Sequence, residues 1–367
     1  MHTFEIKCNI SFSMFQHLLK LPHLIPVSNR VFRTNYYKKK GIMQIELRVY
    51  KYISKKTGNT IETYYLLLRC NAGMIMGENP TLALDLTKYT KEEIIERLQK
   101  RIYEINEFRF LNIHKCDMVC WKADRVDITK DIINANINPT IAIIMCNLSF
   151  PYGHCKMKPV KINKSKSQLM VESCYFRSKS RTVNIYFKLV EINNNEKIID
   201  EDTLDKIKNM IRVEIQLSKK AIYNLNRSKQ DKRSLENFLD GDVWYSYLEK
   251  EILSIFGAEK YVNTATAKQM IEQSTYSTYD KKVLLSIIQM IHKYNGLYEL
   301  EKAIADINTF TPTEYGNLQN FRRKWLQKIR DLGINPVTIP DTFGTTELPS
   351  LYQLLKQERG DNICSQK

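Results

Sequence analysis

No stretch of the chain reaches the roughly 18 uninterrupted apolar residues that a bilayer-crossing helix needs, so a transmembrane segment is not expected. Met1 to Phe15 lacks a basic segment followed by an apolar core and a small-residue cleavage site, and the expected location is the cytoplasm. Cysteines are present but unpatterned. Of the eight, only Cys116 and Cys120 lie close together, with no second Cys or His pair at finger spacing, which argues against structural zinc and for reduced, mostly buried thiols. The six histidines (His2, His17, His23, His114, His154, His292) contain no His-hydrophobic-His pair. With 12 Gly and 10 Pro, and no internal repeat or low-complexity tract, fibrous and disordered classes are excluded.

What the chain does have is positive charge. Its 56 Lys+Arg outnumber 40 Asp+Glu, for a net charge of +16. That balance points to a polyanionic partner, nucleic acid before an anionic membrane, against the bland alternative of a basic surface from an AT-rich genome. At 367 residues and 43% hydrophobic content, the chain can bury one large core or two or three smaller ones.

Hydrophobic periodicity predicts strands first and helices later. Thr3 to Phe12 is an expected strand. Met43 to Tyr52 and Thr60 to Cys70 form an expected hairpin through Lys55-Lys-Thr-Gly-Asn59. A helix is predicted from Thr90, with Glu93 completing a capping box and Ile94, Ile95, Leu98, Ile102 and Ile105 at helical spacing. Met118 to Thr129 reads as a strand, Lys130 to Asn136 as a helix start, and Thr140 to Phe150 as an apolar run rich in β-branched residues. Pro151 to Lys166 reads as a basic, exposed loop. Gln168 to Phe176, Thr182 to Val190 and Ile211 to Leu217 read as strands, the first two a hairpin through Arg177-Ser-Lys-Ser-Arg181. From Lys219 onward the pattern is helical, ending at Gly333 with Pro336 and Pro340 beyond. The expected class is α+β: an antiparallel-rich sheet with covering helices over 1–225, then an all-helical domain over 226–367.

The chemistry gathers on polar strand faces. In Arg181-Thr-Val-Asn-Ile-Tyr-Phe-Lys-Leu-Val-Glu-Ile192, alternation puts Val183, Ile185, Phe187 and Leu189 on one face and Thr182, Asn184, Tyr186 and Lys188 on the other. A phenol and an ammonium two residues apart, about 6–7 Å along a strand, suit a tyrosine nucleophile whose charge or phosphate target is held by lysine. Taken alone, a half-buried strand with an ordinary tyrosine explains the pattern as well. Parity also joins Arg125 with Asp127, Glu172 with Cys174, and Arg212 with Glu214 and Gln216. Asp127, Glu172 and Glu214 are thus candidate oxygen ligands for Mg²⁺ or Mn²⁺, which would favour in-line attack on a phosphodiester. Each carboxylate alone reads equally as a solvated or Arg-paired strand residue.

The order of these segments resembles the rolling-circle replication initiators of the filamentous-phage gene II protein type and related plasmid initiators. The resemblance rests on Arg-Val-Asp (125–127), the strand with Glu172, the Ser/Arg-rich turn leading into Tyr-x-Lys-x-x-Glu (186–191), Ile-Arg-Val-Glu-Ile-Gln-Leu (211–217) and Asp-Val-Trp-Tyr (242–245). It covers about residues 118–260. Residues 1–117 match only through Gly77 and Asn79, with Glu78 where the family commonly has histidine. The resemblance implies a site-specific DNA endonuclease and strand transferase. Tyr186 would attack one strand of double-stranded origin DNA and keep the 5′ phosphate, leaving a 3′-OH for synthesis, and would later rejoin the nicked single strand. Lys188 would stabilise phosphate or phenolate. Asp127 and Glu214 would bind the metal, with Glu172 and Glu191 as further candidates. By strict alternation Glu191 faces away from Tyr186 unless the strand ends or bulges. The implied partners are a host helicase and polymerase.

Candidates for DNA contact are Arg125, Arg177, Lys179, Arg181 and Arg212, together with Lys38, Lys39, Lys40 and the loop lysines Lys156, Lys158, Lys161, Lys164 and Lys166. The Phe321–Arg330 segment is basic on one side, with Phe321, Trp325, Leu326 and Ile329 inward. Two other readings stay open: a non-catalytic origin-binding or regulatory protein, and a relaxase-like or transposase-like strand transferase.

Overall fold

The computed structural model describes residues 1–55, 57–113, 120–134, 136–150, 158–159, 172–196, 198–306 and 318–358. The chain is mixed helix and sheet and divides into two units, neither of them one continuous stretch. Unit 1 comprises residues 1–131, 179–182 and 214–246; unit 2 comprises 132–178, 183–213 and 247–367. The chain passes between them more than once, and position 225 falls inside the last segment of unit 1.

Unit 1 is built on an antiparallel sheet of β1 (Thr3–Ile10), β2 (Ile25–Ser28), β3 (Val31–Thr34), β4 (Ile42–Ile53), β5 (Thr60–Asn71) and β6 (Lys122–Ile133) in the order β2-β3-β4-β5-β1-β6. Alternation is clear in β1, where Phe4, Ile6, Cys8 and Ile10 are buried. The long β4–β5 hairpin runs in register from Ile53↔Thr60 to Gln44↔Arg69. Helices α1 (Phe12–Leu18), α2 (Ala72–Met76) and α3 (Lys91–Tyr103) contribute Phe15, Leu18, Ala72, Ile75, Ile94, Leu98 and Ile102 to the core. The Thr90–Glu93 capping box forms as the sequence predicts. Gly41 holds φ +83° at the turn into β4, where a Cβ would lie 2.9 Å from the backbone nitrogen of Ile75.

The remaining strands follow in the order β10-β9-β8-β7, with β7 (Lys158–Pro159), β8 (Ser173–Arg177), β9 (Arg181–Phe187) and β10 (Met210–Ser218); residues 181–182 of β9 and 214–218 of β10 belong to unit 1 and the rest to unit 2. Helix α4 (Pro139–Ser149) packs on β8: the Cys174 thiol donates to the Ile143 carbonyl at 3.2 Å, and the Asn147 amide donates to the Ser173 carbonyl at 3.1 Å. Beyond residue 246, the described residues include helices Thr264–Gln273, Thr278–Lys293 and Leu297–Ala305 and a two-residue strand pair, Tyr261–Val262 with Glu347–Leu348, so this part is not all-helical. Phe321, Trp325, Leu326 and Ile329 are buried, as their spacing predicts, on a segment whose first part is π-helical. Gly333 closes it at φ +75°, its N–H donating to the Arg330 carbonyl.

Two local expectations are corrected, and one run left open is assigned. Lys130 does not start a helix, because β6 continues to Ile133. The apolar run Thr140 to Phe150, read without an element type, is helix α4: Asn138 accepts from the Thr140 and Ile141 N–H groups and Pro139 occupies the first turn, so capping sets the helix despite the β-branched content. The strand bearing Tyr186 ends at Phe187, and α5 (Lys188–Asn194) begins at once. The cluster 151–157 and 160–171, with Lys156, Lys161, Lys164 and Lys166, lies outside the described residues, as does Cys116.

Candidate functional site

The predicted residues fall into two clusters, Arg125, Asp127 and Glu214 in unit 1 and Glu172, Tyr186, Lys188 and Glu191 in unit 2. In unit 2, β9 buries Val183 and Ile185 on one side, as expected. Tyr186 is 9% exposed and opens onto a cavity of about 510 Å³ that is also lined by Glu172, Ser173, Tyr175, Asn184 and Glu191.

Lys188 does not share a strand face with Tyr186, because the extended backbone stops one residue earlier. It enters α5, where Lys188 and Ile192 are the buried residues, the four-residue spacing of a helix rather than the alternation of a strand. The relation to the phenol survives by another route. The Lys188 ammonium lies 5.9 Å from the Tyr186 ring centroid and donates to Glu191 Oε2 at 2.7 Å. Glu191 Oε1 accepts from Asn195 Nδ2 at 2.9 Å. The parity conflict at Glu191 therefore disappears: one helical turn brings it beside Lys188 and onto the cavity wall.

Glu172 is helical in backbone and precedes β8, so it does not share a face with Cys174 by alternation. Cys174 is fully buried, while Glu172 lines the cavity. Burial also holds the Cys174 thiol well above its ordinary pKa, so it is no thiolate. The pattern reading did not find Tyr175 or Asn195 on this cavity. The only signal for Asn195 is its place in the Asn193-Asn-Asn run that ends α5.

In unit 1 the Arg125–Asp127 parity holds and becomes a fork. Nε donates to Oδ1 at 2.7 Å and Nη2 to Oδ2 at 2.6 Å, with Asp127 fully buried. Burial, opposed by the Arg125 hydrogen bonds and reinforced by the charges of Glu214 and Glu5, pushes the Asp127 carboxyl up to about 7. Glu214 is 6% exposed and accepts from Gln216 at 3.0 Å. Glu5 pairs across the sheet with both Arg69 and Arg125 and accepts from Arg69 Nε at 2.6 Å.

Among the described residues, no three His, Cys, Asp or Glu side chains group as a ready-made cation site. The donor chemistry still fits a hard ion that keeps several of its own waters and takes one or two carboxylates. Asp127 and Glu214 crowd negative charge in a buried setting, and Glu172 and Glu191 line one cavity. Of the expected DNA contacts, Arg177 and Lys179 are exposed and Arg181 half-buried at the β8–β9 turn. Arg177 instead donates to the Tyr175 hydroxyl at 2.9 Å. Arg212 is fully buried and cannot reach a DNA groove from there, because both faces of its half of β10 are core. Arg125 is committed to Asp127.

No protein-family model matches the chain, and no curated protein matches it.

Proposed function

We propose that this chain is a DNA nicking-and-joining enzyme that initiates rolling-circle replication, with Tyr186 as nucleophile. The observation that carries the reading is that Tyr186, Glu172 and Glu191 line one cavity, with the Lys188 ammonium 5.9 Å from the phenol ring. The net charge of +16 suits a nucleic-acid substrate.

In this reading the phenol oxygen attacks the scissile phosphorus, its proton passing to a cavity carboxylate. The bond from phosphorus to the 3′ oxygen breaks, the 5′ phosphate stays on Tyr186, and the 3′ oxygen takes up the proton held by that carboxylate and leaves as a 3′-OH. Lys188, held by Glu191, offsets charge as the phenolate forms. Mg²⁺ or Mn²⁺ at this cavity would be held by Glu172 and Glu191 and would withdraw charge from the phosphoryl oxygens, while Asp127 and Glu214 form a separate carboxylate pair in unit 1. The α+β nuclease assignment, the helical character of 226–367, the cytoplasmic location and a host helicase and polymerase as partners belong to the same proposal.

A second reading, a non-catalytic origin-binding protein, draws support from the near-burial of Tyr186 and from the capture of both Asp127 oxygens by Arg125. The two separate in one assay. Supercoiled plasmid carrying the replicon's own origin is incubated with the chain and Mg²⁺. Nicked circles bearing protein on the 5′ end support the enzyme, and Tyr186→Phe must abolish that adduct while plasmid binding persists. Normal nicking by Tyr186→Phe sinks the assignment; binding without nicking by the wild type selects the second reading.

A further inference from the structure

A second polar cavity, of about 470 Å³, lies within unit 1 and is lined by Lys7, Asn9, Tyr65, Lys122, Lys219 and Arg233. Sheet register builds it. Lys7 of β1 stands opposite Lys122 of β6, and Asn9 stands opposite Tyr65 of β5. Arg233 is fixed at the same edge: its Nε and Nη2 donate to the Ala123 carbonyl at 3.1 and 3.0 Å, and it pairs with Asp124. Lys219 is exposed.

Asp124 and Asp231 are the carboxylates paired to these cations. Lys7 approaches Asp124 at 3.6 Å, and Lys122 meets Asp231 at 2.5 Å. Among the described residues, four cations line the cavity and two carboxylates pair with them, an arrangement that favours an anion. Tyrosine rings stand in the same place. The Lys7 ammonium lies 4.6 Å from the Tyr65 centroid and 6.0 Å from that of Tyr50, and the two rings meet edge to face at 5.2 Å. Tyr50 is 44% exposed.

Cations that neutralise phosphate beside exposed aromatic faces are the two elements with which proteins hold unpaired strands, because a base in a duplex has no face to offer a ring. We propose that this cavity binds the sugar-phosphate backbone of single-stranded DNA, phosphates at Lys122, Lys219 and Arg233 and a base against Tyr65 and Tyr50. Binding here does not depend on Tyr186 chemistry and goes beyond the nicking reading.

The test uses the full chain carrying Tyr186→Phe, in chelator, with fluorescein-labelled oligothymidylate of about 30 nucleotides, long enough to span more than one such contact. Lys122→Gln with Lys219→Gln is expected to weaken binding about tenfold or more near 0.1 M salt and to make the salt slope shallower by about 1.4, at ~0.7 per lost contact. Tyr65→Leu is expected to weaken oligothymidylate binding with the salt slope unchanged. A duplex of the same length should be less affected by Tyr65→Leu. Exposed Cys120, on the cavity wall, should be alkylated more slowly with the oligonucleotide present, read peptide by peptide.

Wild-type affinity and slope in the lysine variant would overturn the proposal. So would equal loss of duplex and single-strand binding in Tyr65→Leu, or unchanged Cys120 alkylation. Lys219→Gln alone, at an exposed position, keeps the test decisive should the double variant misfold. Nicking plays no part in the readout, so failure of the nuclease reading leaves this result intact.

Discussion

Lys188 and Glu191 are joined across one turn of α5, ammonium to carboxylate oxygen at 2.7 Å, and their burial is unequal: the lysine side chain is 4% exposed and the glutamate 26%. The asymmetry has consequences for both stability and chemistry. A charge sealed from water depends on its partner far more than one that keeps water.

Glu191→Gln leaves a sealed ammonium short of a counter-charge and is expected to cost about 2–3 kcal/mol. That is below the ~3–5 kcal/mol of a fully buried pair, because Glu191 retains water contact. Lys188→Met removes the buried charge instead and is expected to cost less than about 1.5 kcal/mol, while lowering nicking about 100-fold through loss of charge beside Tyr186. Denaturant unfolding of the two variants checks the order. A larger stability loss in Lys188→Met than in Glu191→Gln contradicts it.

Asp127 carries the pH dependence. Its carboxyl is pushed from the ordinary 3.8 to about 7, so the folded chain holds a proton that the unfolded chain has lost between those values. Stability from this group is therefore full below pH ~4 and declines as pH rises to ~7. A cation at the Asp127–Glu214 pair competes with the same proton, so stabilisation of the fold by added Mg²⁺ should increase through pH ~7. Asp127→Asn should remove this share of the stability decline and abolish the Mg²⁺-dependent rise. Unfolding measured from pH 5 to 8.5 with and without Mg²⁺ provides the check, and an unchanged pH profile in Asp127→Asn would falsify this role.

Much of the fold was legible where one rule acted alone. The β4–β5 hairpin, the Thr90–Glu93 box, β10 and the inward Phe321–Ile329 stripe follow from alternation, capping and helical spacing. Errors arose where two rules compete. Val183, Ile185, Phe187 and Leu189 satisfy alternation past the end of β9, and only the burial of Lys188 with Ile192 marks the change to a helix. For the run Thr140 to Phe150, which alternation left open, Asn138-Pro139 capping decides for a helix. The candidate site was legible in residue type more than in contact. Glu172, Tyr186 and Glu191 do share a cavity, yet nothing in strand parity foretells that Arg125 takes both oxygens of Asp127, or that Arg212 is sealed in β10. The burial of Arg212 depends on neighbouring strands, which a single segment does not specify, whereas the Arg125–Asp127 fork lies within β6 and its parity left pairing and metal binding equally open.

Gly41 offers a test of backbone constraint near the basic Lys38–Lys40 turn. At φ +83°, with the space for a Cβ filled by the backbone nitrogen of Ile75 at 2.9 Å, alanine must strain the turn and displace α2. Gly41→Ala is expected to cost about 1–3 kcal/mol, whereas Gly58→Ala, where nothing lies within 4 Å but φ is also positive, should cost only the conformational part, about 1 kcal/mol. Thermal unfolding of the two variants separates contact from conformation. Equal losses would mean that α2 yields without resistance.

Arg125→Gln probes the fork directly, because it leaves a buried carboxyl without its cation. The size of the effect must follow the charge on Asp127. Around pH 8 the carboxylate is ionised and the loss should approach the ~3–5 kcal/mol of a broken buried pair. Near pH 5 the carboxyl is protonated in the variant, and only hydrogen bonds are lost, at about 1–2 kcal/mol. Adding Asp127→Asn to Arg125→Gln should recover part of the loss at pH 8 and little at pH 5, since the second change removes a charge that exists only at the higher pH. Denaturant unfolding of the single and double variants at both pH values measures this coupling. A loss of the same size at the two pH values would show that Asp127 does not change its charge between them, against the burial that pushes its carboxyl up to about 7.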